Sequence, residues 1–131
     1  MSVDYDISKW IKIADNELSS AKHLFETHKP MPCEIVCFLS QQSAEKIIKG
    51  YLFSQNIEAP KTHDLEVLCD MCIEVEAGFN AFSRETATLS HYGVLPRYPN
   101  EIELTEQDAE TALKYADKIM QFVKPLLPFQ N

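Results

Sequence analysis

The sequence has 131 residues, of which 45% are hydrophobic and only three are glycine. This length suits one domain, and the composition favours helices, because a many-stranded sheet would need more turn residues. The formal net charge is −8, so the chain gains no general attraction to phosphate backbones, which counts against a protein that coats duplex nucleic acid. Any contact with nucleic acid is therefore expected at a small local site.

The amino-terminal residues, MSVDYDISKW, carry acids before any apolar run, unlike a signal peptide. No apolar run approaches the length that spans a bilayer. A cytoplasmic location is therefore expected, with the four cysteines as reduced thiols.

Apolar residues at spacings of three and four predict the first two helices. The first runs from Ile7 to the segment His28-Lys29-Pro30, with Asp6 or Asp4 as its cap. The second runs from about Cys33 to Ser54, and its apolar residues cover more than one face, which is typical of the middle helix of a bundle. Its remaining face carries polar residues, namely Gln41, Gln42, Glu45, Lys46 and Lys49.

Cap signals define the remaining three helices. Thr62-His63-Asp64-Leu65 opens a short third helix, and the fourth helical stretch covers roughly residues 77 to 92, with Gly93 as its stop. The last helix begins at a capping box from Thr105 to Asp108 and ends before Pro125. The sequence thus predicts an all-α, up-and-down antiparallel bundle of about five helices that forms one domain over residues 1–131.

The cysteines have two interpretations. Cys33 and Cys37 are four apart and Cys69 and Cys72 three apart, so each pair shares a helical face, and four thiolates can hold zinc. However, Cys69 and Cys72 fall on the apolar stripe of the third helix, where small buried hydrophobes belong. Core packing is the favoured interpretation, and we predict neither a metal site nor a cofactor.

Three other residues are candidates for a functional site. His63, in its cap-like turn, either orients the loop by hydrogen bonds or contacts a ligand. Arg84 and His91 are seven positions apart, about two helical turns, so both side chains point the same way. A guanidinium can hold a phosphate while an imidazole moves a proton. Such pairs also arise by chance in many helices.

A proline-bounded loop contains the other arginine. Arg97 lies next to Tyr98 in the segment Leu95-Pro96-Arg97-Tyr98-Pro99. The loop either presents Arg97 to a phosphate or base, or is a rigid connection anchored by its aromatic residues. Arg84 and Arg97 are the only arginines of the chain, and their proximity in sequence indicates an anion site.

Three segments resemble one known family. Gln42-x-Ala44-Glu45-Lys46-x-Ile48-Lys49, Thr62-His63-Asp64-Leu65 and Arg97-Tyr98-Pro99 are similar in order and spacing to the HEPN domain of small prokaryotic proteins. The similarity extends over nearly the whole chain. It implies a helical bundle, usually a homodimer, that often pairs with a minimal nucleotidyltransferase as toxin and antitoxin.

The resemblance also implies an activity. Many members of the family are metal-independent ribonucleases that use an Arg, four to six residues, then a His. Arg84 and His91, with six residues between them, meet the upper limit of that spacing.

Three hypotheses follow from the sequence, and whether the protein is an enzyme stays open. The leading one is a nucleotide- or RNA-binding HEPN protein that partners a minimal nucleotidyltransferase. Its expected anion and nucleotide contacts are Arg97, Tyr98, Lys46, Lys49 and His63. The second is a metal-independent endoribonuclease toxin with Arg84 as phosphate clamp and His91 as acid/base. The third is a non-catalytic dimerisation module.

Overall fold

The computed structural model describes residues 6–93 and 103–128. These residues form five α-helices: α1 (Ile7–Thr27), α2 (Cys33–Ser54), α3 (Leu65–Ile73), α4 (Ser83–Ser90) and α5 (Glu106–Val123). Two 3₁₀ segments, Ala77–Phe82 and Lys124–Leu126, precede α4 and follow α5. The predicted all-α, up-and-down bundle of five helices is confirmed. None of the helices in the described ranges is long and apolar enough to cross a membrane.

Helix α2 lies in the middle of the bundle and packs against each of the other four helices. Its buried residues face several directions, as its broad apolar surface predicts. Polar residues of α2 are buried as well, including Gln41, Ser43 and Glu45. A buried polar group is costly unless it is hydrogen-bonded, so partners for these side chains are required.

Helix α1 packs closely against α2. The hydroxyl of Ser43 donates a hydrogen bond of 2.8 Å to the backbone oxygen of Ala14. Gly50 faces Trp10 so closely that a Cβ at this position would lie 3.2 Å from the Trp10 Cβ. The Trp10 and Phe53 rings pack with their centroids 5.1 Å apart. The indole thus covers the end of α2, and the absence of a side chain at Gly50 permits it.

The fourth helical stretch differs from the prediction. Residues 77–82 form a 3₁₀ segment, and the α-helix begins only at Ser83. A Cβ on Gly78 would lie 2.8 Å from the Phe122 ring, so glycine lets this segment lie directly on α5. Phe79 and Phe82 then pack on Phe122 at 5.1 and 5.0 Å. The change from 3₁₀ to α-helix at Ser83 therefore coincides with aromatic packing against α5, which periodicity does not reveal.

Two of the predicted caps are confirmed. The Asp64 carboxylate accepts hydrogen bonds from the Glu66 and Val67 amides at the start of α3, and Thr105 and Asp108 form a reciprocal capping box on α5. Asp6 flanks α1, but its carboxylate accepts from the Ser8 hydroxyl instead of capping a backbone amide. The alternative cap, residue 4, lies outside the described residues.

Candidate functional site

A groove of about 410 Å³ lies where the start of α3 meets the end of α4. It contains two of the residues that the sequence analysis selected, His63 from the turn before α3 and His91 from the carboxyl end of α4. The full lining is His63, Asp64, Glu66, Ala87, Ser90, His91 and Gly93. The fold therefore brings two histidines, 28 positions apart in sequence, into one groove.

Hydrogen bonds join the two helix ends that form the groove. The first amides of a helix have no acceptor within the helix and need one from elsewhere. The Leu65 amide donates to the Ser90 hydroxyl at 2.9 Å, which ties α3 to α4. The Glu66 amide donates to the Asp64 carboxylate at 2.9 Å. The groove wall is thus built from capping contacts.

The His63 imidazole is bound by a buried carboxylate of α2. Its Nδ1 lies 2.9 Å from Oε1 of Glu45, and the Glu45 side chain is only 2% exposed whereas that of His63 is 65% exposed. Lys49 donates to Oε2 of the same carboxylate at 2.9 Å. Gln41 donates to Oε1 at 3.1 Å and also to the His63 backbone oxygen at 3.1 Å. Glu45 therefore holds the ring, and Lys49 and Gln41 hold Glu45.

The charge of Glu45 follows from these contacts. Burial raises the pKa of the Glu45 carboxyl, but the hydrogen bonds from His63, Lys49 and Gln41 outweigh burial, and the net pKa is lowered. Glu45 is therefore ionised at neutral pH. An ionised carboxylate accepts only, so Nδ1 of His63 carries the proton and Nε2 of the neutral ring is an acceptor. The His63 ring thus makes a structural hydrogen bond and also lines the groove.

Arg84 and His91 lie at opposite ends of α4, and both are exposed. Seven residues of α-helix turn by about 700° and rise by about 10 Å, which puts both on one face. Ala87, between them on that face, lines the groove, whereas Arg84 does not. The Arg84 guanidinium, about two turns from His91, can therefore contact a phosphate beside the groove but not within it.

The acid that follows Arg84 points in another direction. Glu85 is 5% exposed, and its Oε2 accepts a hydrogen bond of 2.8 Å from Lys118 of α5. Burial raises the pKa of Glu85, but the hydrogen bonds from Lys118 and from its own backbone amide, with the charges of Lys118 and Arg84, together outweigh burial, so the net pKa is lowered. Its charge is thus paired within the bundle, on a different side of α4 from Arg84.

The two predicted lysine contacts do not line the groove. Lys46 pairs with Glu17 at 3.5 Å and Lys49 pairs with Glu45, so both ammonium groups have carboxylate partners. Lys49 contributes to the site through Glu45. Arg97 and Tyr98 lie outside the described residues.

Gln41 and Glu45 belong to the site, although the sequence pattern does not indicate it. The pattern places them with the lysines on the polar face of α2, yet both are buried. The available signal was the breadth of the apolar surface of α2. A helix buried on most sides leaves little solvent-facing surface, so its acid and amide side chains must find partners inside the protein.

The four cysteines are free and buried. Burial raises the pKa of Cys37 and of Cys72 to about 12 each. Within residues 6–93 and 103–128, no group of three or more His, Cys, Asp or Glu side chains is arranged to hold a metal ion. The cysteines therefore act as small core side chains in the described structure.

A second groove, of about 540 Å³, lies between α1 and α5. Two ion pairs cross it, Lys22 with Asp117 at 3.0 Å and Lys124 with Asp15 at 2.9 Å. None of the predicted site residues that fall within the described ranges lines it. The groove between α3 and α4 is therefore the candidate site.

Comparisons with known proteins agree with this architecture. ST0689, an archaeal HEPN homologue, is 28% identical, with a TM-score of 0.71 over 92% of this chain and 96% of that chain. TT1696 from Thermus thermophilus is 25% identical, with a TM-score of 0.74 over 97% and 100% of the two chains. No curated protein gives a significant match. The HEPN domain family model matches residues 7–126, and the chain therefore belongs to the HEPN domain family.

Proposed function

We propose that this protein is the nucleotide- or RNA-binding member of a toxin–antitoxin-type pair whose other member is a minimal nucleotidyltransferase. The observation that carries the binding proposal is the groove in which His63, fixed by Glu45, and His91 meet. Family membership supports the pairing with the nucleotidyltransferase. We further propose that the protein acts in the cytoplasm as a homodimer.

The charge distribution favours a short single strand or a free nucleotide as ligand. The groove holds two imidazoles and two carboxylates, and the chain as a whole is acidic. Asp64 is tied to the amides of α3, where the positive end of the helix offsets its charge. Arg84 and His91 then supply one or two phosphate contacts. Single-stranded binding with so few contacts has a shallow salt dependence, with a slope of about −1.

Arg97 and Tyr98 extend this proposal beyond the described residues. In it, the Arg97 guanidinium holds a phosphate and the Tyr98 ring stacks on a base. Lys46 and Lys49 stay predicted anion contacts. Either ammonium group would have to leave its carboxylate partner before it could bind a phosphate directly.

Isothermal titration tests the binding proposal. A six-nucleotide RNA and free mononucleotides are titrated into wild type, Arg84→Ala, His91→Ala and the control His23→Ala, which changes an exposed histidine of the other groove. We expect micromolar binding that the first two variants weaken about tenfold and the control leaves unchanged. A dimer that binds neither ligand at high micromolar concentration would instead support the dimerisation module.

Co-expression with the minimal nucleotidyltransferase tests the pairing separately. We expect the two proteins to elute together in size-exclusion chromatography, with a mass by light scattering that includes both. Separate elution at concentrations well above 10 µM would contradict the pairing and leave the binding proposal standing.

The second candidate function, a metal-independent endoribonuclease toxin, has its own structural support. Arg84 and His91 lie on one exposed face of α4, and the charge of Glu85 is paired with Lys118 away from that face. Arg84 would clamp the phosphate and His91 would act as acid/base, the dimer bringing two such pairs together. Expression should arrest growth and His91→Ala should relieve it with the helical circular dichroism unchanged. Equal toxicity of both proteins would contradict this function.

A further inference from the structure

We propose that His63 is a second proton-transfer residue of the groove, acting with His91 in the cleavage of an RNA phosphodiester, and that Glu45 is its positioning residue. This inference rests on the second candidate function, the endoribonuclease. It adds a residue and a reaction geometry that the Arg84 and His91 pair alone does not provide.

The attachment of His63 is the first support. A surface imidazole needs no buried partner for solubility, yet the 65% exposed ring is held at 2.9 Å by a 2% exposed carboxylate. Holding Nδ1 leaves Nε2 on the opposite side of the ring, and the ring lines the groove. A carboxylate that orients an imidazole and stabilises its protonated form is the arrangement found behind histidine bases.

The second support is the rigidity of this pair. Glu45 is held by Lys49 at Oε2 and by Gln41 at Oε1, while Gln41 also holds the backbone oxygen of His63. The ring, its carboxylate and its backbone are thus fixed by side chains of a single helix. Such preorganisation is required of a group that transfers a proton over hydrogen-bond distance.

The third support is the presence of two imidazoles in one groove with different attachments. His63 is bound to a carboxylate of α2, whereas His91 is the residue that follows the last turn of α4. Transfer of an RNA phosphoryl group to its own 2′-oxygen needs one group to accept a proton and another to donate one. In this proposal His63, which its carboxylate holds in place, is the base and His91 is the acid.

The reaction balances with these groups alone. Nε2 of neutral His63 accepts the proton of the 2′-hydroxyl, and the 2′-oxygen forms a bond to the adjacent phosphorus. The bond from phosphorus to the 5′-oxygen breaks, and protonated His91 donates its proton to that oxygen. The products are a 2′,3′-cyclic phosphate and a 5′-hydroxyl end. The substrate class is therefore RNA, because the step requires a 2′-hydroxyl.

The test measures cleavage of a ten-nucleotide fluorogenic RNA by the full chain from pH 5 to pH 9. The variants are His63→Ala, His63→Asn, Glu45→Gln and His91→Ala, with His23→Ala as the matched histidine control. Asparagine at 63 can still donate to Glu45, so it separates proton transfer from folding. A substrate with a single 2′-deoxy nucleotide at the cleaved position serves as the chemical control.

We expect a bell-shaped pH profile for kcat in the wild type. His63→Ala and His63→Asn should each lower kcat by about 10²-fold or more, with a smaller change in KM, and should remove one limb of the bell. Glu45→Gln should lower kcat at retained KM and change the ¹⁵N signals that report the His63 tautomer. The deoxy substrate should resist cleavage, and mass spectrometry should find the cyclic phosphate.

Two outcomes would overturn the proposal, and they are distinguishable. If the wild type cleaves RNA and His63→Asn keeps its kcat and both limbs, His63 transfers no proton, while the Arg84 and His91 nuclease stands. If the wild type cleaves no RNA, the nuclease function and this inference fail together, and the titration above still decides the binding proposal.

Discussion

Nδ1 of His63 lies 2.9 Å from Oε1 of Glu45, so the most buried carboxylate of α2 holds an imidazole at the protein surface. The contact joins the central helix of the bundle to the turn that opens α3. It therefore couples the stability of the fold to the geometry of the groove, and its removal should affect both.

Replacing Glu45 should destabilise the protein. Glu45→Ala leaves the ammonium of Lys49, whose side chain is only 13% exposed, without its buried partner. Breaking a buried ion pair from one side is costly, and we expect a loss of about 3 kcal/mol in the free energy of unfolding, measured in urea. Lys22→Ala breaks the exposed pair with Asp117 and should cost less than about 1 kcal/mol. Similar losses in both variants would contradict the central role of Glu45.

Stability should fall in acid partly through Glu85. Burial raises its pKa, but the hydrogen bonds from Lys118 and from its own backbone amide, with the charges of Lys118 and Arg84, together outweigh burial, so the pKa is lowered in the folded protein. The folded state thus binds its proton more weakly than the unfolded chain, so its contribution is present above about pH 4.5 and lost as pH falls through the folded pKa. Glu85→Gln should be less stable at pH 7 and show a flatter decline below pH 4.5 in urea titrations. Glu26→Gln, at an exposed position of α1, controls for the change in net charge. If the free energy of unfolding of Glu85→Gln falls with acid as steeply as that of the wild type, Glu85 does not contribute to the acid sensitivity.

The thiols should be unreactive in the native protein. Burial raises the pKa of Cys37 and Cys72 to about 12 and that of Cys69 to about 11, and it also raises the pKa of Cys33. At pH 8 the thiolate fraction of a group with a pKa of 12 is about 1 in 10⁴. We expect a chromogenic disulfide reagent to modify fewer than one thiol per chain within minutes, and all four in denaturant. Rapid modification of native Cys37 or Cys72 would show that the core opens locally.

The acid at the rim of the groove should oppose RNA binding. Glu66 is exposed, lines the groove and carries a charge of the same sign as a phosphate. Glu66→Gln should raise the affinity for a short RNA about twofold to fivefold at low salt, with a smaller gain at high salt. Glu74→Gln removes a charge at the other end of α3 and is the matched control. Equal gains in fluorescence anisotropy for both variants would indicate a general charge effect.

Periodicity and caps were sufficient to predict most of the helical boundaries. The apolar stripes bounded α1 and α2, and the Asp64 and Thr105 caps bounded α3 and α5, because these signals are local in sequence. The 3₁₀ start of the fourth stretch depends on contact between Gly78 and Phe122. Such a contact joins residues distant in sequence, so spacing alone does not reveal it.

Only part of the candidate site could be predicted from the sequence, because its residues come from segments that are distant in sequence. His63 and His91 were selected separately, one from a cap motif and one from helical spacing, and only the fold brings them into one groove. The sequence pattern places Glu45 on a polar face of α2, whereas in the structure it is the buried partner of His63. The burial of a charged residue depends on packing around α2, which no local pattern specifies.

The four histidines of the chain allow a direct test of the central claim, that the groove between α3 and α4 binds a nucleotide or RNA. His63 and His91 line the groove, whereas His23 and His28 are exposed near the end of α1. Adding a six-nucleotide RNA or a mononucleotide to histidine-labelled protein should shift the imidazole NMR signals of His63 and His91 and leave those of His23 and His28 in place. Unchanged signals for His63 and His91 at millimolar ligand would contradict the account.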